Sequence, residues 1–220
     1  VDEELRRERL EEFGKRYGPW LVLAVVGALA IFAAVLWWRH HQQERIDAAG
    51  EQFTGILYEI GQGKADAARP KLDAMAQSPI ASYRALTLLT EAGVALNKGD
   101  TKSAIAHYSA LAADKSLPQP MRDAALLRQT TVQYDTLPPD TVIARLKPLA
   151  VAGTPWFGSA GELVALAYLK LGKPELAGPL FAAIGADTTV SGTLRSRALQ
   201  MARSLGADEA AAKPAGPTKG

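Results

Sequence analysis

Cysteine is absent from the 220 residues of the chain, and histidine occurs only three times. Without cysteine the chain can form no disulfide bond, thiol nucleophile, iron–sulfur cluster or thiolate zinc site. Three histidines are few from which to build a metal centre or a histidine-based active site. The chain also has no large excess of charge of either sign, because 25 basic residues nearly balance 23 acidic ones. A net charge of +2 is too small to indicate a nucleic-acid partner.

Catalytic motifs are equally scarce. The adjacent pair His40-His41 is poorly placed to chelate a metal, because neighbouring helical residues point about 100° apart. His107 reads as a partly exposed helix residue. The segment Gly158–Gly161 lacks the lysine of a phosphate loop, no nucleophile elbow is present, and the carboxylates are scattered singly. We therefore predict no enzymatic activity, no cofactor, no metal site and no small-molecule substrate.

One apolar run dominates the N-terminal part of the chain. Residues 20–38 contain no charge, and a helix of this length spans about 28 Å, close to the ~30 Å hydrocarbon core of a bilayer. Trp20, Trp37, Trp38 and Arg39 stand where membrane–water interfaces are expected. A buried core helix would show one polar face, and a signal peptide would have a shorter apolar run and a small-residue cleavage site. The run predicts a retained transmembrane helix over residues 20–38, which the Gly18-Pro19 pair precedes.

The basic residues that flank the run predict its orientation. Five of them precede it, whereas only Arg39 and Arg45 occur in the 19 residues that follow. Positively charged flanks remain in the cytoplasm. Residues 1–19 would then be a short amphipathic cytoplasmic leader, either lying at the surface or docking a cytosolic partner. The C-terminal domain would lie in the periplasm of a two-membrane bacterium.

Residues 39–206 carry a repeated apolar signature. In each of four units a small or β-branched residue is followed by large apolar residues four and seven positions later, and the units are 36, 38 and 35 residues apart. The signature consists of Ala68-Leu72-Met75, Ala104-Tyr108-Leu111, Val142-Leu146-Leu149 and Ala177-Phe181-Ile184. Turn residues precede each signature, at Gly63, Gly99, Leu137–Asp140 and Gly172.

Each unit therefore reads as a helix–turn–helix. We expect first helices near residues 43–61, 81–98, 120–135 and 157–171, second helices near 65–77, 101–113, 140–151 and 174–184, and a closing helix near 190–205. Stacked pairs of this length resemble a degenerate tetratricopeptide repeat. The predicted fold is all-α, with a single transmembrane helix followed by a tetratricopeptide-like α-solenoid of about four helix pairs. Residues 207–220, which lack a large apolar residue, are expected to be disordered.

Several side chains are candidates for partner binding. Five leucines on first helices would line the exposed face of the stack, although core packing is the simpler interpretation for each of them: Leu86, Leu89, Leu96, Leu166 and Leu169. Trp156, after Thr154-Pro155, is either an exposed aromatic anchor or a packed staple at the start of a helix.

The order of elements resembles a known family. A charged leader and a span ending WWRHHQQ are followed by AAGEQFTGILYEI, SYRALTLLTEAGVALNKGD, PMRDAALLRQTTVQY, GTPWFGSAGELVALAYLKLGKPELAGPLFAAI and RSRALQMARSL. This order is similar to that of the YfgM-like family, ancillary subunits of the bacterial Sec translocon. The resemblance implies an inner-membrane protein that contacts translocon subunits, periplasmic chaperones or exported clients. A scaffold for another envelope machine, such as outer-membrane protein assembly or cytochrome maturation, is the alternative.

Overall fold

The computed structural model describes the backbone of residues 2–207 and the side chains of Trp20 and residues 23–207. Within these residues the chain forms nine α-helices and no strand. The helices are α1 (Asp2–Gly61), α2 (Ala65–Met75), α3 (Ala81–Asn97), α4 (Thr101–Ala113), α5 (Gln119–Val132), α6 (Pro139–Leu146), α7 (Phe157–Lys170), α8 (Pro174–Ala186) and α9 (Gly192–Ser204). The all-α expectation is confirmed. The expected tail begins at the last described residue, and residues 208–220 lie outside the described part.

Two helix boundaries differ from the expected ones by more than three residues. The helix of the apolar run does not begin near residue 20, because α1 is continuous from Asp2 through the leader and the run to Gly61. A proline removes one backbone donor, but its fixed φ is compatible with a helix. At the other end of the chain, α6 stops at Leu146 and not near residue 151. Pro148 explains the early stop, since proline has no backbone N–H with which to continue the helical hydrogen-bond pattern.

The described residues divide into two compact units between Tyr58 and Glu59. In the first unit, the part of α1 from Leu23 onwards is long and apolar enough to cross a membrane, with a mean hydropathy of 1.7 over 18 residues, none of them buried. Trp20, Trp37 and Trp38 are 71%, 67% and 64% exposed. Arg39 is exposed too. The four residues predicted for the membrane interfaces are thus all accessible.

The second unit is a succession of packed helices. From α2 to α9 each helix contacts the next, and α7 also contacts both α5 and α9. A bidentate pair between Arg197 of α9 and Glu162 of α7 joins two of these alternate helices. Contact between alternate helices is the stacking expected of helix–turn–helix repeats, in which no single pair can bury its own apolar face.

The repeated signature forms the core of this unit. All twelve signature residues are buried, none more than 8% exposed. They lie in second helices or directly after them, and most pack with small residues of the first helices, such as Ala92, Ala125 and Ala165. Small residues let two helix backbones approach closely, and the large residues of the signature then fill the remaining space.

Glycine turns connect the helices of three pairs. Gly63, Gly99 and Gly172 have φ values of 77°, 75° and 68°, in the left-handed region that favours glycine. In each turn the next residue's N–H reaches back to the carbonyl five residues earlier, over 2.8–2.9 Å: Lys64 to Glu59, Asp100 to Ala95 and Lys173 to Tyr168. These bonds satisfy carbonyls at the end of the first helix and set the direction of the second.

Candidate interaction surface

Helix α3 carries an exposed apolar stripe, formed by Leu86, Leu89, Gly93 and Leu96. The three leucines are 40%, 39% and 37% exposed. A Cβ atom added at Gly93 would have no neighbouring atom within 4 Å, so the stripe is open at its centre. Spacings of three, four and three residues place all four positions on one side of the helix. We call these four residues the α3 stripe.

The opposite side of α3 is fixed in the core. Ala85, Ala92 and Ala95 are buried and pack in a cluster with Tyr108 and Leu111 of α4. Thr87 is also fully buried, and its hydroxyl donates to the carbonyl of Tyr83 over 2.7 Å. Because one side of α3 is held against α4, the α3 stripe is presented on a rigid element.

The ends of α3 and α4 are joined by an ion pair. Arg84 donates to Oδ2 of Asp114 from Nε (3.0 Å) and from Nη2 (2.8 Å), and its Nη1 donates to the Ser78 carbonyl over 2.7 Å. The other carboxylate oxygen of Asp114 accepts from the backbone and hydroxyl of Ser116 at 2.9 and 2.6 Å. Hydrogen bonds from Ser116 and Arg84 lower the pKa of Asp114 to about 2.

The other charged residues of α3 and of its C-cap are also paired. Lys98, the C-cap residue, binds Asp66 of α2, and Glu91 contacts Nδ1 of His107 on α4 over 3.3 Å. The side chains of Arg84, Glu91 and Lys98 are therefore all directed to neighbouring helices or loops. No charged residue belongs to the α3 stripe, which makes this side of the helix an uncharged apolar surface.

A small cleft lies between α2, α3 and α4, and no residue of the α3 stripe lines it. Its volume is about 100 Å³, and its lining mixes apolar residues with charged ones, including Arg69, Asp73, Glu91, Lys98 and His107. Burial raises the pKa of Glu91, and the neighbouring Asp73 carboxyl raises it further. Burial also lowers the pKa of His107. Both shifts favour the neutral forms, which weakens the electrostatic attraction between Glu91 and His107.

The cleft does not resemble a metal centre. Among residues whose side chains are described, no group of three or more histidine, aspartate or glutamate side chains is arranged to hold a metal ion. His40 and His41 both approach Glu44, at 3.3 and 3.6 Å, on an exposed stretch of α1. His41 also stacks on Trp37, with ring centroids 5.7 Å apart. Both histidines thus contact side chains of their own helix.

Comparison with known proteins decides the family. The model of the tetratricopeptide repeat-like domain matches residues 11–184, which is 174 of the 220 residues. The chain belongs to this family. Tetratricopeptide repeat-like domains mediate protein–protein contacts and are typically non-catalytic scaffolds. The match includes the apolar run of α1 as well as four signatures. Neither a curated protein nor a solved structure matches the chain.

The other predicted binding residues lie in the later helices of the tetratricopeptide repeat-like domain. Leu166 and Leu169 of α7 are half-buried and pack against the cluster that contains Phe181 and Ile184. Trp156, at the N-cap of α7, is half-buried against a cluster that contains Leu146. The structure therefore does not bring these three side chains together with the α3 stripe, and their role in partner binding stays a prediction.

Sequence reasoning missed two features of this region. It treated the carboxylates as scattered, whereas the fold brings Asp73 of α2 close enough to Glu91 of α3 to change its pKa. It also did not single out the exposed apolar side chains of Met121, Val151 and Leu176, which lie in the second compact unit. The pairing of Asp73 with Glu91 has no local sequence signal, because it depends on how two helices pack.

Proposed function

We propose that this protein is a membrane-anchored scaffold that assists protein export through the bacterial Sec translocon. In this proposal α1 anchors the chain in the inner membrane, with the N-terminus in the cytoplasm. The repeat-like domain lies in the periplasm, where it contacts translocon subunits, periplasmic chaperones or emerging clients. It performs no catalysis and needs no cofactor.

The observation that carries the proposal is the direct connection of two elements in one chain. A helix long and apolar enough to cross a membrane leads into a tetratricopeptide repeat-like domain, and the family match begins before the apolar run. An anchor of this kind raises the local concentration of the domain at the membrane surface. The order of elements, which resembles that of YfgM-like ancillary subunits, supports the translocon as the partner.

The α3 stripe supports weak and transient contacts. An uncharged surface with three part-exposed leucines offers apolar contact without selecting for a charged sequence. Such a surface is small compared with the about 800 Å² that each partner buries in a standard interface. Short-lived contact with successive clients or chaperones suits a factor that assists export.

The test is affinity purification of the full-length protein at its native level. Membranes are extracted with a mild detergent, and co-purified proteins are identified by mass spectrometry. A variant that lacks residues 1–38 separates contacts that need the anchor from contacts of the domain alone. A second variant, Leu89→Gln in the α3 stripe, identifies the contacts that need the stripe. Leu176→Gln, at an exposed site on α8, is its control.

Recovery of translocon subunits with the anchored protein, and their loss from the truncated variant, is the expected result. Loss of chaperones or clients on Leu89→Gln but not on Leu176→Gln would assign those contacts to the α3 stripe. Recovery of another envelope complex, with the translocon at background, would overturn the proposed function and leave the fold unaffected.

A further inference from the structure

Three titratable side chains from three different helices meet in the cleft between α2, α3 and α4: Asp73, Glu91 and His107. Glu91 of α3 contacts both of the others. Its Oε2 atom lies 3.3 Å from Nδ1 of His107, and its carboxyl group is hydrogen-bonded to that of Asp73. The Glu91 side chain is only 10% exposed. Its protonation therefore determines the charge at the place where the three helices meet.

The contact between Asp73 and Glu91 requires a proton. An ionised carboxylate only accepts hydrogen bonds, so two carboxyl groups can bond to each other only when one of them is protonated. Without that proton two negative charges face each other, and carboxylates that share a site repel. The proton between Asp73 and Glu91 is thus a link between α2 and α3 that is present at low pH and lost at high pH.

Polar links matter for α2 because this helix lies outside the main hydrophobic clusters. Its buried residues belong to none of the three clusters that α3–α9 form: Ala68, Leu72 and Met75. A second polar link is the ion pair between Asp66 in the first turn of α2 and Lys98, the C-cap residue of α3. Asp73 lies about two turns further along α2. The two links therefore hold opposite ends of α2, and only the link at Asp73 depends on a shared proton.

The other charged and titratable groups that line the cleft act on Glu91 and His107 with both signs: Arg69, Asp73, Lys98 and Asp100. Burial raises the pKa of Glu91 above its usual 4.5, the Asp73 carboxyl adds to the rise, and the charge of Arg69 opposes it. Burial lowers the pKa of His107 below its usual 6.5, which Arg69 reinforces and which Asp73 and Asp100 oppose. Glu91 is therefore the group that keeps a proton beyond the usual range of its residue type.

We propose that the carboxyl pair of Asp73 and Glu91 is a pH-dependent switch that controls the docking of the C-terminal half of α2 on α3. While the pair shares a proton, α2 is held along its whole length. When the pH rises and the proton is lost, the two carboxylates repel and the C-terminal half of α2 opens, whereas the pair of Asp66 and Lys98 still holds the first turn. The switch lies within the second compact unit and does not depend on the partners proposed above.

Amide hydrogen exchange tests the switch in the full-length protein in lipid nanodiscs. Exchange is followed by mass spectrometry at about pH 5 and about pH 7.5, and each rate is divided by the intrinsic exchange rate at that pH. Helix α8, which contributes no residue to the cleft, is the internal reference. Relative to α8, the protection of α2 should be greater at about pH 5 by about threefold or more. Equal relative protection at the two pH values would overturn the proposal.

Three variants identify the group that responds to pH, and protection of α8 shows that each of them is folded. Asp73→Asn should abolish the difference, because its amide donates to the Glu91 carboxylate without a shared proton. Asp66→Asn, the matched control on α2, should lower the protection of α2 at both pH values and keep the difference. His107→Gln should keep it as well. An unchanged difference in Asp73→Asn, or its loss in Asp66→Asn or His107→Gln, would show that the carboxyl pair is not the switch.

Discussion

Arg84 and Asp114 lie 30 residues apart and join the start of α3 to the end of α4 through two hydrogen bonds of 3.0 and 2.8 Å. Asp114 is the C-cap residue of α4, and Arg84 also binds the Ser78 carbonyl in the loop before α3. One ion pair therefore fixes two helix ends and two loops. This contact holds α3 in place at the end where the stripe begins.

Replacement of Asp114 with asparagine is expected to destabilise the domain by about 1 kcal/mol, because a charge-assisted contact is lost at a partly exposed site. The loss should depend on pH. The pKa of Asp114 is about 2 in the folded protein, below the ordinary value of 3.8. Its contribution is therefore complete above about pH 4 and disappears as the pH falls towards about 2. Urea unfolding of both proteins across this range measures the difference.

Asp135→Asn is the matched control. The Asp135 side chain is 94% exposed and lies 3.5 Å from Lys170. Exposed pairs of this kind contribute little, so this variant should unfold like the native protein at every pH. Equal behaviour of the two variants would contradict the assigned role of Asp114.

Gly185→Ala is expected to destabilise the domain by about 1–3 kcal/mol, because an added Cβ would lie 2.5 Å from Cγ and Cδ2 of Leu199. Gly93→Ala is the control, since it adds the same methyl group in a helix where nothing lies within 4 Å. It should stabilise the domain by about 0.5–1 kcal/mol. Thermal unfolding followed by circular dichroism compares the two. A stabilising effect of Gly185→Ala would show that α8 and α9 are not packed this closely.

Much of the fold follows from local sequence patterns. The spacing of small and large apolar residues at positions i, i+4 and i+7 predicts all twelve signature residues, which are buried. Glycines at matching places predict the turns, because only glycine adopts their positive φ without strain. The helix bounds from α2 to α4 follow from the same signals.

The candidate surface could be predicted only in part. Dense leucines on α3 and α7 look equivalent in sequence, yet Leu86 and Leu89 are exposed whereas Leu166 and Leu169 pack against the last cluster. The difference arises because α9 closes the stack beside α7. Long-range pairs such as Arg84 with Asp114 depend on which helix ends meet, and no local pattern encodes this.

Leu146→Ala tests the repeated signature as the source of stability. Leu146 is completely buried in the middle cluster, so the substitution should cost about 2–5 kcal/mol through lost contacts and a residual cavity. Leu176→Ala removes the same atoms at an exposed position and should change stability by less than about 0.5 kcal/mol. Chemical unfolding of both variants measures the contrast. Similar costs would mean that the signature does not form the core.

Glu91→Gln should change the pH dependence of stability. The pKa of Glu91 is raised above its ordinary 4.5, so the folded protein keeps this proton to a higher pH than the unfolded chain does. Ionisation of Glu91 therefore reduces the unfolding free energy as the pH rises above 4.5. The lowered pKa of His107 acts in the opposite direction, increasing stability as the pH rises towards 6.5.

The variant lacks only the first of these contributions, so its stability relative to the native protein should be greater at pH 7 than at pH 4. Urea unfolding at the two values measures this change, with Glu175→Gln at an exposed site on α8 as the control. A relative stability that is constant or falls with pH would contradict the raised pKa of Glu91.

Reporter fusions test the predicted orientation of α1. Five basic residues precede the apolar run and two follow it closely, so the N-terminus is expected in the cytoplasm. Alkaline phosphatase, which needs an oxidising compartment, should be active when fused after residue 206 and inactive when fused after residue 19. Enzyme activity in intact cells, normalised to the amount of fusion protein, measures both. An inactive fusion after residue 206, present at a normal level, would reverse the orientation and place the α3 stripe on the cytoplasmic side of the membrane.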